Sequence, residues 1–416
     1  NNGMYELYIR QNGGIIANSD SSHLFNGFKN AVTIDVSKLD TSNVTNMTAM
    51  FWRCQNVKEL DVSNFDTSNV IAMSYMFRDC NSLTKLDISS FDTSKVTDMD
   101  CMFYDDISLL KLDVSHFDTS QVMSMSFMFY GLSKIIELDV SGFDTSQVTS
   151  MMFMFSGVNN VLELDVSNFN TSQVTNMSYM FNGVKSITEI DVSNFDTSKV
   201  TDMRWMFRGM ANLISLDLSN FDTSQVTNME AMFCDSKNLQ SLNISSFNTS
   251  NVTNMFQMFD GVSMLSNLDL STFNTSKVIN MGYMFRYMDN IEELDLTNFN
   301  TSNVENMIYM FAGMTSLKKS NISSFDTSKV TDMQYMFYNL NSALELNVSG
   351  FNTSNVTNMS YMFRGMNSLI ELNISNFDTS KVTSMDSMFA GMTSLEKLNI
   401  SSFDTSKVTD MQYMFY

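Results

Sequence analysis

The sequence predicts a mainly β repeat solenoid in which each repeat of 26 residues forms one coil. Fifteen copies run from Ile34 to Tyr416 without insertion or deletion, and the fifteenth copy is incomplete. A single coil cannot bury its apolar side alone, so the coils must stack on one another. We therefore predict an N-terminal cap with a partial repeat at residues 1–33 and a solenoid at residues 34–416.

A first short strand is predicted at the start of each repeat, numbered here from the Leu of LDVS as position 1. Aliphatic residues at positions 24, 1 and 3 give the spacing LxxLxL, and its last three positions alternate as a strand does. Position 1 is Leu or Ile in every repeat except the one that carries Ser320. A second strand is predicted around Val-Thr-x-Met at positions 11–14, with Thr outward. Stacking would then give two short parallel sheets.

Two turns complete the predicted coil. Positions 7–9 read Asp/Asn-Thr-Ser, and an Asp or Asn side chain there accepts hydrogen bonds from backbone N–H groups slightly further on. Asp92 and Asn248 occupy the same position, which indicates that an acceptor is required and a charge is not. The Met-Phe pair at positions 17–18 and the polar residues after it predict a compact turn or a short 3₁₀ segment.

The N-terminal region differs from the repeats. Residues 4–16 predict a hairpin about Asn12-Gly13-Gly14, followed by a segment that matches the tail of a repeat. We expect this hairpin to cap the first coil and to block pairing at its edge. The chain starts without a signal sequence and stops inside a repeat, so we expect it to be a piece of a longer protein.

Composition excludes several classes of function. The net charge of -21 and the pI of about 4.3 argue against nucleic acid and anionic lipid as partners. No apolar run approaches the ~18 residues of a membrane span, so no membrane insertion by this segment is predicted. Cys54, Cys80, Cys101 and Cys234 lack metal-type spacing and are predicted to be buried free thiols.

The repeat carries a family signature. The run MFRGMNSLIELNISNFDTSKVTSMDSMF, residues 362–389, closely resembles the mycoplasma-type lipoprotein-associated repeat of BspA-like leucine-rich-repeat surface proteins. The resemblance implies a leucine-rich-repeat-like solenoid and an extracellular or cell-surface location on a microbe. It also implies a role in adhesion or interaction, without enzymatic activity. The family assigns no defined site residues, so none are carried over.

Methionine fills two columns of the repeat. Thirty of the 39 methionines occupy positions 14 and 17, and this MxxM spacing is one that Cu(I) sites use. The same columns flank an unbroken Phe column, where Met fills irregular space and makes sulfur–aromatic contacts. We favour core packing and predict no cofactor.

An aspartate ladder occupies position 2 in eight successive repeats. Carboxylates at strand spacing repel one another unless they are solvated or partly neutralised by cations. Weak Ca²⁺ binding is therefore a hypothesis, and solvated surface charge is its alternative. The candidate ligands are Asp35, Asp61, Asp87, Asp113, Asp139, Asp165, Asp191 and Asp217.

A threonine ladder at position 12 raises a further alternative. Threonine occupies this position in eleven of the fifteen repeats, a pattern that an ice-binding solenoid would have. Ile71, Met123, Ile279 and Glu305 interrupt it, and Thr is favoured on any solvated strand. We favour the solvated strand.

The best candidate contact surface lies at positions 16 and 19, where aromatic residues and arginine concentrate. These residue types commonly anchor protein interfaces. Partial burial against the next coil is the alternative interpretation. The candidate interaction residues are Trp52, Arg78, Tyr104, Tyr130, Trp205, Arg208, Arg286, Tyr338 and Arg364.

No catalytic arrangement is evident in the sequence. His23 and His116 are the only histidines, and neither accompanies a nucleophile motif, so we predict that the chain is not an enzyme. The leading hypothesis is an adhesion or interaction domain that presents a long acidic surface to a protein or glycan partner. The alternative is a structural subunit whose stacks self-associate edge-to-edge or end-to-end into a surface layer or filament, as a heterologous end contact between solenoids allows.

Overall fold

A computed structural model of the chain describes residues 3–9 and 11–416. These residues contain twelve short strands and no helix, so no helical segment within them could cross a bilayer. They divide into two compact units. The first contains the described residues up to Val200 together with Gly209–Asn212, and the second contains Thr201–Arg208 and Leu213–Tyr416. Both units consist of stacked parallel coils with one repeat per coil, which confirms the predicted solenoid.

The N-terminal segment is a coil and not a hairpin. β1 (Tyr5–Tyr8) and β2 (Ile15–Ile16) pair in parallel with β3 (Ala31–Asp35) and β4 (Leu39–Asp40), respectively. The prediction of a hairpin is therefore wrong, because β1 and β2 each pair with the following coil. Alternation of apolar and polar residues is compatible with either antiparallel pairing in a hairpin or parallel pairing between coils. The glycines form the bend between β1 and β2. β1 nevertheless covers the edge of β3, as the hairpin was expected to cover the first coil.

The first predicted strand is present in several coils, centred on position 1 of the repeat, and the strands of neighbouring coils form a row. Its central residue is buried between two exposed ones, as Leu60 is in β5. Ser320 keeps the same backbone register as its neighbours although its side chain is not apolar. The parallel pairs are β5 (Glu59–Asp61) with β6 (Lys85–Asp87), β7 (Ser215–Asp217) with β8 (Ser241–Asn243), β9 (Glu293–Leu294) with β10 (Lys319–Ser320), and β11 (Glu371–Leu372) with β12 (Lys397–Leu398).

The second row is a ladder of single parallel bridges at position 13, as between Asn46 and Ala72. It replaces the longer strands that the pattern predicted. Val44 and Met47 are buried and Thr45 is exposed, so the predicted side-chain directions are correct. One bridge per coil suffices here because the next segment continues the hydrogen bonding between coils.

Positions 14–21 form a turn in which alternate backbone N–H groups bond in two directions. Phe77 N donates to the carbonyl of Met102 in the next coil at 3.0 Å. Arg78 N donates instead to the carbonyl of Tyr75, three residues back, at 3.1 Å. The segment is thus both a compact turn, as predicted, and a continuous link between coils.

The core is built from columns of Met and Phe. Met73 and Met76, at positions 14 and 17, are fully buried. Phe77 stacks between Phe51 and Phe103, with ring centroids 5.8 Å apart on each side. All four cysteines are free and buried, which confirms the prediction for them.

Buried threonines at position 8 join consecutive coils at the corner where no sheet forms. The Thr249 hydroxyl donates to the carbonyl of Asn274 at 2.9 Å and accepts from the N–H of Asn274 at 2.8 Å. The side chain therefore satisfies both backbone groups of one residue in the next coil. The sequence placed this threonine in a turn but did not indicate that it bonds across coils.

We predict that Thr249→Val destabilises the chain by about 1–3 kcal/mol, because it removes the two hydrogen bonds between the buried Thr249 hydroxyl and the backbone of Asn274. The measurement is urea unfolding followed by circular dichroism. Thr253→Val is the matched control, since Thr253 is exposed in the same coil and makes only one solvent-exposed hydrogen bond, to the Thr227 carbonyl at 3.2 Å, so a change of about 0.5 kcal/mol is expected. Equal losses in the two variants would contradict the role assigned to Thr249.

Aspartates at position 7 close the predicted turn. Asp92 Oδ1 accepts a hydrogen bond from Ser94 N at 3.0 Å. Hydrogen bonds from the Ser94 hydroxyl and backbone lower the pKa of Asp92 below its ordinary value of 3.8. Asp66 and Asp378 have lowered pKa values for the same reason, with Ser68 and Ser380 as the donors. A lowered pKa means that these carboxylates stabilise the fold above pH 3.8 and lose this contribution as the pH falls through the folded value.

We predict that the triple variant Asp66→Asn, Asp92→Asn, Asp378→Asn unfolds at the same temperature as the parent at pH 7. Below pH 3.8 its melting temperature falls less, because Asn keeps the acceptor and does not titrate. Melting curves from pH 7 to pH 2 provide the measurement. Parallel losses in parent and variant would show that these turns do not contribute to acid sensitivity.

Candidate interaction surface

Position 16, where aromatic residues were noted, has an unusual backbone conformation in every repeat. All fifteen residues there are non-glycine and have φ between 49° and 61°. This left-handed conformation costs about 1–2 kcal/mol for an L-residue. It persists because the backbone groups at the position are committed: Tyr75 N donates to the Asp100 carbonyl and Tyr75 O accepts from Arg78. The constraint places side chains of position 16 beside those of position 19.

The first cluster of predicted residues surrounds Arg78. Its guanidinium carbon lies 4.1 Å from the ring centroid of Tyr104, 5.3 Å from Tyr75 and 5.7 Å from Trp52. Asp79 balances the charge at 3.6 Å and also accepts a hydrogen bond from Trp52 Nε1 at 3.0 Å. Three aromatic rings and one carboxylate thus hold this arginine, whose side chain is 25% exposed.

Two stacks of rings continue from this cluster in the first compact unit. Tyr104 and Tyr130 stack at 4.4 Å, and Phe127 and Phe153 at 4.5 Å. Phe153 then stacks on Tyr179 at 4.0 Å. Burial raises the pKa of Tyr104 to about 12, so its hydroxyl stays protonated at neutral pH.

Trp205 and Arg208 form a smaller cluster in the second compact unit. The Arg208 guanidinium lies 4.3 Å from the Trp205 ring and 3.5 Å from a carboxylate oxygen of Asp235. Trp205 Nε1 donates to Glu230 at 3.3 Å. As around Arg78, the arginine is stacked on an aromatic ring and its charge is balanced by a carboxylate at position 20.

Arg286 forms the best-defined ion pair of the surface. Its Nε and one terminal nitrogen donate to the two oxygens of Asp260 at 2.8 and 2.7 Å. The same guanidinium lies 4.5 Å from the Tyr283 ring and 5.0 Å from the Tyr287 ring. Burial raises the pKa of Asp260, and Arg286 opposes this shift by favouring the carboxylate. A planar, bidentate pair of this kind fixes the side chain in one geometry.

Four tyrosines in consecutive coils, Tyr283, Tyr309, Tyr335 and Tyr361, form what we call the tyrosine ladder. Neighbouring ring centroids are 4.6, 4.2 and 4.4 Å apart, with interplanar angles of 11°, 9° and 4°. All four rings are half-buried. Stacking covers their faces, so the ladder presents ring edges to solvent.

The last two predicted residues border the ladder. Tyr338 contacts the edge of Tyr335 at 5.4 Å, and the Arg364 guanidinium lies 5.3 Å from the Tyr361 ring. Each predicted residue is therefore half-buried and contacts a ring or a guanidinium group, either in its own coil or in a neighbouring coil. This combines both interpretations of the pattern, since burial is partial and one edge of each cluster remains accessible.

Several members of these clusters were missed from the sequence. Asp79 and Asp235 lie at position 20, directly after the column that carries the arginines. Asp260 occupies the same repeat position as Arg286, and opposite charges at one position in adjacent coils are a signal that would have found this pair. The left-handed backbone of position 16 had no such signal, because Tyr and Phe do not favour it.

The aspartate ladder is arranged as a row of local turns. Asp61 Oδ1 accepts hydrogen bonds from the N–H and hydroxyl of Ser63, which lower the pKa of Asp61. Asp61 and Asp87 face each other in register on adjacent strands. Within residues 3–9 and 11–416, no group of three or more His, Cys, Asp or Glu side chains could hold a metal ion. Weak Ca²⁺ binding by the ladder stays a prediction.

Comparisons with known proteins place this architecture in a wider context. A leucine-rich cell surface protein from Faecalibacterium prausnitzii is 19% identical, with a TM-score of 0.39 over 68% of this chain and 77% of that one. A leucine-rich-repeat protein from Bacteroides ovatus is 14% identical, with a TM-score of 0.39 over 99% and 86%. One from Eubacterium ventriosum is 14% identical, with a TM-score of 0.36 over 91% and 82%. No curated protein matches the chain significantly.

A family model covers almost all of the chain and every repeat. The model described as "Mycoplasma protein of unknown function, DUF285" matches residues 19–136, 105–191, 183–292, 263–344 and 337–416. These ranges overlap and together contain every repeat, which confirms the family resemblance drawn from the repeat itself. The chain therefore belongs to the DUF285 family of repeat proteins.

Proposed function

We propose that the chain is a non-enzymatic interaction domain on a microbial surface. It binds a protein or glycan partner through the half-exposed clusters around Arg78, Arg286 and the tyrosine ladder. The observation that supports this proposal most directly is the way the arginines are held. Each guanidinium is stacked on a ring, and Arg78 and Arg286 are also paired with carboxylates, so little side-chain entropy remains to be lost on binding.

The chemistry of the clusters fits a polar ligand. Ring edges, phenol hydroxyls and guanidinium N–H groups lie side by side, and such amphipathic side chains are enriched where proteins bind partners. Carboxylates balance the charges of Arg78, Arg208 and Arg286 locally, while the chain as a whole carries a net charge of -21. An anionic partner is therefore disfavoured, and a neutral glycan or a basic protein segment is favoured.

The test is a binding screen of the purified chain against a glycan array and immobilised extracellular matrix proteins. For any partner that binds, we predict that Arg78→Ala or Arg364→Ala weakens affinity about tenfold or more, which corresponds to about 1.4 kcal/mol. Lys134→Ala is the control, because Lys134 is exposed and lies outside the clusters. A partner whose affinity is unchanged in both arginine variants would place the binding surface elsewhere.

A second candidate function is self-assembly, and an exposed aliphatic column supports it. Leu110, Ile136 and Leu162 occupy position 25 in three consecutive coils and are 51%, 42% and 80% exposed. Contiguous apolar surface of this kind commonly marks a protein contact. Next to the column, Lys111 Nζ and Glu137 Oε2 form an ion pair at 2.9 Å. If the chain is a subunit of a surface layer or filament, the partner that covers this column is a second copy of the chain.

If the column mediates self-assembly, light scattering and electron microscopy of the chain alone will detect oligomers or filaments that grow with concentration. We predict that Leu162→Asp returns them to monomers, because it places a charge in the apolar contact. Ile279→Asp is the control, since Ile279 is also exposed, at 46%, but lies in a different column. A parent chain that stays monomeric at high concentration would reject this candidate.

A further inference from the structure

The tyrosine ladder has a geometry that its role in binding does not require. Its rings are parallel within 11° and 4.2–4.6 Å apart through four consecutive coils. Binding a ligand would need only exposed edges. In-register stacking of four phenols instead brings carbon atoms of neighbouring rings close together, once per coil.

The phenol groups of the ladder also lie close enough to interact with one another. For example, burial together with its neighbour Tyr335 raises the pKa of Tyr309. Parallel rings stacked at one repeat position place the carbons ortho to the hydroxyl of one ring near the ring of the following coil. Since the rings are half-buried, their edges remain accessible to electron transfer from solution.

We propose that the tyrosine ladder is a site of oxidative modification, at which a one-electron oxidant couples neighbouring tyrosines of one chain into dityrosine. The modification would join Tyr283 to Tyr309, Tyr309 to Tyr335, or Tyr335 to Tyr361.

The reaction balances with two tyrosines and two equivalents of the oxidant, and it needs no catalytic side chain. Each of two phenols gives one electron to an equivalent of oxidant and its hydroxyl proton to water, which leaves two phenoxyl radicals. Spin density at the ortho carbons forms one carbon–carbon bond between the rings. The hydrogens on these two carbons then move to the phenol oxygens through solvent and restore both hydroxyls. The net change is the loss of two electrons and two protons per link.

The link would act as a covalent staple between coils. Tyr309 and Tyr335 are separated by one repeat of 26 residues, so a bond between them closes a loop of that length. A cross-link that closes a loop removes conformational entropy from the unfolded chain and so stabilises the folded one. Successive links would fasten four coils together at the surface.

The chain contains its own comparisons for this geometry. Tyr75 occupies the same position and has the same left-handed backbone, but Cys101 takes its place in the next coil. Tyr413 likewise follows Ser387 and contacts Tyr416 edge to face. Tyr104 and Tyr130 form a second stacked pair, at 4.4 Å and 15°. Coupling should therefore follow stacking and not the mere presence of tyrosine.

The test uses the full chain at micromolar concentration, with ruthenium(II) tris(bipyridine), persulfate and light as a small one-electron oxidant. Dityrosine fluorescence and tryptic peptide mapping are the readouts. We expect peptides that join Tyr283 to Tyr309 and Tyr309 to Tyr335, in a chain that still runs as a monomer on a denaturing gel. Tyr335 and Tyr361 share the tryptic peptide 330–364, where a link appears as the loss of two hydrogens.

Matched variants distinguish templated coupling from general oxidation. Tyr335→Phe keeps the stacked ring but removes the hydroxyl, so both links to residue 335 should vanish while the Tyr283–Tyr309 link remains. Tyr75→Phe should leave every ladder link unchanged. In urea, the preference for ladder pairs should disappear because the template is unfolded.

Three results would overturn the proposal. The first is native coupling of Tyr75 or Tyr413 as efficient as that of the ladder. The second is dityrosine in Tyr335→Phe that joins Tyr309 directly to Tyr361, two coils apart, as efficiently as stacked neighbours are joined in the parent. The third is cross-linking only between molecules. Since the readout is covalent and needs no partner, it is independent of whether the chain binds a protein or a glycan.

Discussion

Each compact unit depends on one constraint, which is that its successive coils repeat the same backbone hydrogen bonds. In positions 14–21, alternate N–H groups bond to the next coil and the others close turns within their own coil. This pattern forces a left-handed residue at position 16 of every repeat. The cost of about 1–2 kcal/mol at each such residue is offset by the hydrogen bonds that the conformation allows.

Because the repeat length is constant, residues at one repeat position lie in a column along the stack. Where the same residue type recurs, it must pack or hydrogen-bond favourably next to an identical neighbour. Phe51, Phe77 and Phe103 solve this by parallel stacking. Buried Thr249 solves it by using one hydroxyl as both donor and acceptor toward the next coil. Exposed Asp61 and Asp87 face each other as like charges, and each is stabilised locally by a serine two residues on. At a position where identical neighbours would not pack favourably, the residue type must change from coil to coil.

The candidate interaction surface is where the columns vary most. Arg286 follows Asp260 in the same column, and an ion pair forms because the two charges are opposite. Tyrosine follows tyrosine in the ladder, and the rings stack. The varied columns thus carry distinct local chemistry on a uniform frame, an arrangement that suits recognition of a partner by a repeat protein. Family membership identifies the frame, while the clusters are features of this chain.

The sequence by itself determined the period, the burial of positions such as Leu60, the turn at Asp92 and the buried thiols, because periodicity and residue type decide these locally. It misjudged residues 4–16, since alternation does not distinguish a hairpin from parallel coils. Only the tertiary structure decided that Thr249 bonds across coils, that Tyr335 stacks in register, and that Arg78 lies among three rings. These contacts join residues about one repeat apart, so they exist only once stacking has set the distance between coils.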